Sequence, residues 1–528
     1  MKSNVSLVVV NTFSAFDAEY TGVSRIAAYL RQHNIPVTIV YLNVNKDSSF
    51  EQLISEIPVE SNLIGFPIYN TNARYIYKLC ELLKKRNSSA FTFVGSILAT
   101  TAYDFILNDC RDIDFVILGD GELTMYHIVL RYEDNDYRFE KLPHVKTRQD
   151  KETKSPYFVN IETMPIISRD FFINNKKRNF YSARITGSSG CTARCSFCAI
   201  SDVYKPIKTR AWRGRAIKDV FYEIVSINKE YGIRSFSFTD NSFEDPGTLG
   251  KKRIEEFCRL CIEYPIKMHF WCYLRAETFS ENDTQLILLM KEAGFTQVFI
   301  GIEACNKEDL ILYNKNSEPK DSYRAYNLFT SLGIDVVPGY IMFNPFTTVS
   351  RLRENFRFLE DNNLAILKLY YRHLDVYYGT DIYHVVKQNG LLKESYTYLD
   401  SEDYSFKDPD VQQLSQFIKN FVDGSQIEKL DGDFQTFMSS IAFIKAIYPD
   451  TIELFHQDLL DLKYKFAKAI QDFFHILYVD NDIDQAEMQF LKFEKRMEGI
   501  YKEFSILKMR ILKQKTIQNL FARPVSKF

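Results

Sequence analysis

The residues best suited to chemistry are three cysteines close together in the chain. Cys191, Cys195 and Cys198 follow the spacing C-x3-C-x2-C, with Gly190 just before them and Phe197 between the last two. A short loop with this spacing can place three thiolates on one face of a cubane cluster. A 4Fe–4S cluster normally takes four cysteines, so a set of three leaves one iron open to an exogenous ligand. The segment therefore predicts an open-iron 4Fe–4S site at these three cysteines.

Three other interpretations of the cysteines compete with the cluster. A structural zinc site needs a fourth ligand, and no His or Cys follows at finger-like spacing. Buried core thiols fit poorly in a loop that begins with the glycine- and serine-rich segment 187–190. A redox C-x-x-C pair would leave Cys191 without a role. The cluster is the favoured hypothesis, and metal analysis would separate it from zinc.

The composition is that of a globular chain of two or three domains. Of the 528 residues, 46% are hydrophobic and 25% are charged, and the formal net charge is −2. This balance does not indicate a nucleic-acid or membrane-surface partner. The apolar stretch Leu7–Val10 is too short for a signal peptide, and no run of apolar residues is long enough to span a bilayer. We expect a soluble, cytoplasmic protein.

The first 132 residues alternate apolar runs and amphipathic stretches. Buried parallel strands joined by helices form a doubly wound sheet, whose ligand crevice lies at the carboxyl ends of the strands. The sequence therefore predicts a flavodoxin-like or Rossmann-like domain over residues 1–132. The predicted strands are Ser6–Asn11, Val37–Asn43, Asn62–Tyr69, Phe91–Gly95 and Asp114–Gly119.

Three further regions follow. Residues 133–178 are charged and proline-containing, and we interpret them as a linker. Strands and helices alternate again over 179–392, which predicts a partial or complete TIM-like (β/α) barrel. Helical spacing dominates 393–528 and predicts a helical C-terminal domain. The predicted barrel strands are Ser182–Thr186, Ser235–Thr239, Met268–Tyr273, Gln297–Ile302, Asp335–Met342 and Leu367–Leu374.

The cysteine segment and the strand ends after it resemble the radical SAM superfamily, whose signature is C-x3-C-x-aromatic-C after the first barrel strand. Cys191, Cys195, Phe197 and Cys198 match that signature, and the resemblance covers about residues 181–392. It implies that S-adenosylmethionine binds the open iron and contacts several strand ends. The implied cofactor-binding residues are Phe197, Asp240, Arg275, Gly301 and Glu303.

The N-terminal domain resembles the class of this superfamily that binds cobalamin. The matching segments are Gly22–Leu30, Gly65–Tyr69, Val94–Ser96 and Gly119–Glu122. The family usually has Ser in place of Pro67 and a second Gly in place of Ser96, and the chain has no D-x-H-x-x-G motif. The resemblance therefore implies a bound cobalamin without a histidine ligand below the cobalt, and a scaffold that binds no cobalamin is the alternative.

The resemblance implies an oxygen-sensitive radical enzyme. Its reduced cluster would cleave S-adenosylmethionine to a 5′-deoxyadenosyl radical, and an external flavodoxin- or ferredoxin-type protein would supply the electron. With cobalamin bound, the expected reaction is C-methylation of a small molecule or natural-product precursor. The alternatives are a cobalamin-independent rearrangement, dehydrogenation or ring formation, or a non-catalytic carrier of the cluster. The catalytic residues are unknown at this stage, and His373 and Tyr371 are speculative proton donors.

Overall fold

The computed structural model describes residues 2–12, 19–45, 47–174, 182–205 and 212–521, of which 519–521 are described for the backbone only. The last residues of the predicted linker, 175–178, and the first of the predicted barrel domain, 179–181, lie outside these ranges. The remaining chain confirms the predicted α/β fold class with a helical C-terminal region.

The N-terminal sheet has six strands in the order β2-β1-β3-β4-β5-β6. The first five strands are parallel, as predicted, and β6 adds an antiparallel edge beside β5. Every residue of β1 is buried, which is typical of a central strand with helices on both faces. The strands are β1 (Val5–Asn11), β2 (Val37–Asn43), β3 (Leu63–Pro67), β4 (Phe91–Gly95), β5 (Phe115–Ile117) and β6 (Val145–Lys146).

A partial barrel follows, built from two parallel sheets of three strands each, β11-β10-β7 and β12-β13-β14. A break at Cys272 divides one predicted strand into β11 and β12, so that the chain passes from one sheet to the other there. The strands, with a short antiparallel pair β8/β9, are β7 (Ser182–Ile185), β8 (Ser188–Ser189), β9 (Arg213–Gly214), β10 (Ser235–Phe238), β11 (His269–Trp271), β12 (Tyr273–Arg275), β13 (Gln297–Glu303) and β14 (Asp335–Tyr340).

The prediction of a sixth barrel strand over Leu367–Leu374 is wrong for the first half of that segment. Leu367–Tyr370 forms a 3-10 helix, and only an isolated bridge between Phe343 and His373 continues the barrel. The backbone N–H of Leu367 donates to the buried Asp431 carboxylate at 3.2 Å. In a sheet, a neighbouring strand would accept this hydrogen bond, but here a side chain of a C-terminal helix accepts it. The alternation of apolar residues reflects packing against those helices.

The helices surround both sheets and form the C-terminal region. One hydrophobic core runs from the barrel strands into that region, so the two share buried side chains. The helices are, in the first domain, Thr21–Gln32, Phe50–Ser55, Ala73–Arg86, Ile97–Thr101, Tyr103–Asp109 and Glu122–Glu133; then Asp170–Asn174, Ala199–Tyr204, Ile217–Tyr231, Thr248–Glu263, Thr284–Ala293, Lys307–Leu312, Pro319–Ser331, Val349–Asp361 and Asp381–Gln388; and finally Pro409–Phe421, Gln426–Ile447, Pro449–Glu453, His456–His475, Ile483–Leu512 and Lys515–Phe521.

Short helical turns complete the elements. Ile476–Asp480 is a π-helical turn. Besides Leu367–Tyr370, the 3-10 turns are Phe139–Lys141, Ile161–Thr163, Ala276–Thr278 and Glu281–Asp283. Within the described ranges, no helix has the length and hydrophobicity needed to cross a membrane.

Candidate active site

The three cysteines lie in the loop that follows β7, at the carboxyl end of the barrel strands. All three thiols are free and partly exposed. Burial raises the pKa of the Cys191 and Cys195 thiols to about 12 and raises the pKa of the Cys198 thiol as well. The Ala193 N–H donates to the Cys191 sulfur at 3.4 Å. Such thiols stay protonated in water and become thiolates on binding a metal, and hydrogen bonds to sulfur are typical of Fe–S sites.

The cysteine loop is held in place by side chains that follow β10. The Asp240 carboxylate accepts hydrogen bonds from the Gly187 N–H at 2.7 Å and the Ser188 hydroxyl at 2.5 Å, and it is buried. The buried Asp245 carboxylate accepts from the Thr192 N–H at 2.8 Å and from its hydroxyl at 2.6 Å. Both carboxylates therefore position the loop. The predicted contact of Asp240 with a cofactor stays a prediction.

Arg275 lies at the end of β12 beside the same loop. Its guanidinium contacts the carboxylates of Glu244 at 3.2 Å and Asp245 at 2.7 Å, and it donates to the Thr192 hydroxyl at 3.3 Å. Burial alone would lower the pKa of Arg275, but the two carboxylates raise it above its ordinary value. This cation lies close enough to Cys191 for a Coulombic interaction. The predicted contact of Arg275 with a cofactor stays a prediction.

Glu303 and Gly301 act as a pair at the end of β13. Glu303 has φ of +69°, which is rare for a residue with a side chain and is found at functional sites. A Cβ on Gly301 would lie 2.7 Å from the Glu303 carboxylate, so this glycine provides the space that the carboxylate occupies. Burial raises the pKa of Glu303, while the Lys315 ammonium 3.9 Å away opposes that rise. The carboxylate is thus held at the barrel mouth.

A cavity of about 720 Å³ lies at the barrel mouth. Phe197, Cys198 and Glu303 line it, so the cysteine loop and the end of β13 share this cavity. The Phe197 ring packs edge-on against Tyr313 at 5.5 Å. The cavity brings together one of the three cysteines predicted to bind the cluster and two of the five predicted cofactor residues.

A second cavity, of about 680 Å³, lies at the carboxyl edge of the N-terminal sheet. It extends down to the apolar side chains of Leu7, Phe93 and Met125, and Arg184 and Thr239 of the barrel close its other side. Tyr69, Thr71 and Ile97 line both cavities. The crevice predicted at the strand ends is therefore present, and it adjoins the barrel mouth.

Comparison with known families identifies both domains. The sequence model of the B12 binding domain matches residues 7–129, and that of the Radical SAM superfamily matches residues 185–359. The chain carries a B12-binding domain followed by a radical SAM domain. It is an enzyme, as the sequence predicted.

Individual relatives are similar at low identity. An "uncharacterized methyltransferase" of Pyrococcus horikoshii is 24% identical over 390 residues, covering 70% of this chain and 79% of the relative. An anaerobic magnesium-protoporphyrin IX monomethyl ester cyclase of Rubrivivax gelatinosus is 23% identical over 65% of this chain and 62% of its own. The solved structure of the cobalamin-dependent S-adenosylmethionine radical enzyme OxsB, with aqua-cobalamin and S-adenosylmethionine bound, superposes with a TM-score of 0.69 at 16% identity, over 97% of this chain and 81% of that one. This likeness shows the fold.

The donor set of the radical SAM domain fits an iron–sulfur cluster. Among the residues that the structure describes, no group of three or more His, Cys, Asp or Glu side chains is arranged to hold a single metal ion. A cubane cluster does not require such convergence, because its thiolates bind different irons. The free thiols, the N–H bond to sulfur and the braced loop suit that cluster. The assignment of its three ligands stays a prediction.

The cavity of the B12-binding domain has the shape of a ligand cradle. A Cβ on Gly22 would meet nothing within 4 Å, and one on Gly95 would approach only Ile117, at 3.9 Å, so both glycines leave open space in the cavity wall. Ser96 has φ of +103°, a conformation typical of glycine, and its hydroxyl donates to the Ile68 carbonyl at 2.9 Å. Ser96 therefore adopts a glycine-like backbone conformation at the position where the family usually has its second glycine. These features fit a corrinoid.

The speculative proton donors have other partners. His373 stacks on Phe343 at 5.0 Å and bonds the Ser415 hydroxyl at 2.8 Å, and burial lowers its pKa to about 4. The buried Tyr371 hydroxyl donates to Glu428 at 2.8 Å. Both side chains fasten the barrel wall to the C-terminal helices. Their role as proton donors gains no support from these contacts.

Sequence reasoning missed two residues of the site. Asp245 follows a predicted strand end in the acidic pair 244–245, a signal that could have found it. Lys315 donates to the Gly301 carbonyl at 3.1 Å and is buried beside Glu277 and Glu303, at 3.7 and 3.9 Å. Only the folding of the helix Lys307–Leu312 brings it back to β13. No local pattern indicates its position.

Proposed function

We propose that this enzyme is a cobalamin-dependent radical SAM methyltransferase acting on a small molecule. Cys191, Cys195 and Cys198 would hold a 4Fe–4S cluster. When bound, the reduced cluster and S-adenosylmethionine supply a 5′-deoxyadenosyl radical, and cobalamin supplies a methyl carrier. The external electron donor is proposed to be a flavodoxin- or ferredoxin-type protein.

The observation that supports methyl transfer is the common wall of the two cavities. Tyr69, Thr71 and Ile97 line the B12-domain cavity on one side and the barrel-mouth cavity on the other. A substrate in the barrel mouth would thus lie near the cysteine loop and near the crevice of the B12-binding domain. That proximity is what a reaction using both cofactors needs, because reacting groups must approach within a few ångströms.

The chain's own residues would orient the cofactors and keep water away. Arg275 is placed to attract the carboxylate of S-adenosylmethionine, and Glu303 is placed to accept hydrogen bonds from a sugar hydroxyl. Gly301 leaves room for the Glu303 carboxylate, and the Lys315 ammonium lies 3.9 Å from that carboxylate. Asp240 and Asp245 fix the cysteine loop to β10. The apolar walls of the barrel mouth would shield the radical from solvent.

The test is an anaerobic incubation of the reconstituted chain with S-adenosylmethionine carrying a deuterated methyl group. The mixture contains a reductant, cobalamin and a small-molecule extract. We expect 5′-deoxyadenosine and a product that carries the deuterated methyl, and neither with Cys195→Ala. Formation of 5′-deoxyadenosine without label transfer would replace methylation by another radical reaction. Absence of 5′-deoxyadenosine with every extract fraction would contradict radical chemistry.

A further inference from the structure

The walls of the barrel-mouth cavity show what its substrate must look like. The cavity collects side chains from the N-terminal domain, the cysteine loop, β13, β14 and the segment 366–378. Most of them are apolar or aromatic, so a bound molecule gains free energy mainly by burying hydrocarbon surface. The apolar lining includes Leu98, Phe299, Val337, Ile341, Leu369 and Leu374.

Four charged side chains interrupt this lining, namely Glu303, Lys368, Arg372 and Asp375. Glu303 lies against Lys315 at the end of β13. The Lys368 ammonium is neutralised by Asp423 at 3.2 Å and Glu428 at 3.3 Å. Glu303 is itself an anion, and the Lys368 charge is paired with two carboxylates, so neither group is placed to attract an anionic ligand.

Arg372 differs from the other three. Its side chain is 51% exposed, and its nearest carboxylate oxygen, on Asp375, is 3.7 Å away, beyond hydrogen-bond distance. The other Asp375 oxygen accepts a hydrogen bond from the Ser401 hydroxyl at 2.6 Å, which holds that carboxylate on its own side. In the part of the chain that the structure describes, the Arg372 guanidinium makes no hydrogen bond to protein. It faces the cavity with its donors available.

The backbone of Arg372 is fixed, so the side chain starts from a defined point on the cavity wall. Its carbonyl accepts hydrogen bonds from the N–H groups of Met342 at 2.9 Å and Phe343 at 3.1 Å. The next residue, His373, is stacked on Phe343. A guanidinium presents two parallel N–H donors that match a carboxylate or a phosphate.

We infer that the substrate is a largely apolar molecule with one anionic group, a carboxylate or a phosphate, which Arg372 binds. The inference rests on the proposed function for the identity of the cavity as the substrate site. It assigns Arg372 as the residue that selects charged over neutral substrates. The apolar walls then determine the size and shape of the remainder of the molecule.

The test compares three probes that share one aromatic body: naphthol, naphthoate and naphthyl phosphate, substituted at the same ring position. Each is titrated into the anaerobic chain loaded with cluster, cobalamin and S-adenosylmethionine, and binding is followed by fluorescence. We expect at least one anion to bind about tenfold more tightly than naphthol, as a charge-assisted pair predicts. The stronger of the two anions identifies carboxylate or phosphate as the group recognised.

Arg372→Met should abolish that preference and leave naphthol binding within about twofold of the wild type, because only the ion pair is lost. Arg357→Met removes the same charge from an exposed position on the helix Val349–Asp361 and should keep the preference. Equal binding of the three probes to the wild type, or a preference that survives in Arg372→Met, would overturn the inference. So would loss of S-adenosylmethionine binding in Arg372→Met, which would place this arginine in the cofactor site.

Failure of the proposed function would show separately. Iron, cobalt and 5′-deoxyadenosine are measured on the same preparation, and the titration is repeated on the chain without cofactors. The anion preference depends on Arg372 and should persist in the chain without cofactors. A chain that loads its cofactors but shows no preference contradicts the inference alone. A chain that shows the preference but forms no 5′-deoxyadenosine contradicts the proposed function alone.

Discussion

The Arg213 guanidinium lies 2.7 Å from the Asp120 carboxylate and thereby joins the radical SAM domain to the B12-binding domain. Asp120 lines the cavity of the B12-binding domain. The other end of the same guanidinium donates to the Ser189 hydroxyl at 3.0 Å, two residues before Cys191. One side chain thus links the cavity of the B12-binding domain to the cysteine loop. Both members of the pair are largely buried, at 13% and 15% exposure.

Arg213→Met should destabilise the chain, because it removes the nearest cation from the largely buried Asp120 carboxylate and leaves it with the Val159 N–H at 3.0 Å and Arg25 at 3.6 Å. The expected loss is about 2–3 kcal/mol, less than for a fully buried pair. The measurement is the shift of the denaturant midpoint. Arg259→Met removes an exposed partner of Glu255 and should change the midpoint by the equivalent of less than about 0.5 kcal/mol. Equal shifts in both variants would show that the Asp120 pair does not hold the domains.

Gly301→Ala should weaken the binding of S-adenosylmethionine by about tenfold or more, equivalent to at least about 1.4 kcal/mol. The added methyl would lie 2.7 Å from the Glu303 carboxylate and displace it. Iron content should stay at the wild-type level, since the cysteine loop is untouched. Gly499→Ala is the matched control, because its Cβ meets nothing within 4 Å. Unchanged affinity in Gly301→Ala, measured by equilibrium dialysis, would remove Glu303 from the cofactor site.

Asp240→Ala should lower the iron retained after anaerobic reconstitution to half or less. The change removes the acceptor for the Gly187 N–H and the Ser188 hydroxyl and leaves both groups buried without a partner. The loop would then hold its thiols in several arrangements. Asp433→Ala, at an exposed site far from the loop, is the control. Full iron content in Asp240→Ala would show that the cysteines need no bracing from β10.

Asp431 should make the stability of the C-terminal region depend on pH. Burial raises the pKa of this carboxyl from 3.8 to about 7. The folded chain therefore binds more protons than the unfolded chain between those values, and stability falls as pH rises from about 4 to about 7. Asp431→Asn should make the melting temperature fall less steeply with pH, whereas Asp433→Asn should leave the pH dependence of the melting temperature unchanged. A pH dependence of the melting temperature that is the same in Asp431→Asn as in the wild type would contradict the assignment.

The sequence predicted what depends on local patterns. Continuous apolar runs predicted β1 to β5 and their parallel sheet, because a strand covered on both faces needs such a run. The resemblance of the cysteine motif to the family's signature implied its place after the first barrel strand, β7. Leu367–Tyr370 was misjudged, because its apolar residues pack on distant helices that no local pattern reveals. Lys315 was missed for the same reason, since only the tertiary structure brings it to the barrel mouth. Arg372 lies in a predicted barrel strand, between Tyr371 and His373, and its sequence position alone does not show that its charge faces the cavity.

The most direct test of the central claim is metal analysis of the anaerobically reconstituted chain after removal of unbound cofactors. The account predicts about four irons and about one cobalt per chain. Cys195→Ala should lose the iron and keep the cobalt, because the two cofactors occupy different domains. A wild-type chain that binds zinc in place of iron would contradict the cluster. One that binds iron and no cobalt would contradict the cobalamin-dependent reaction.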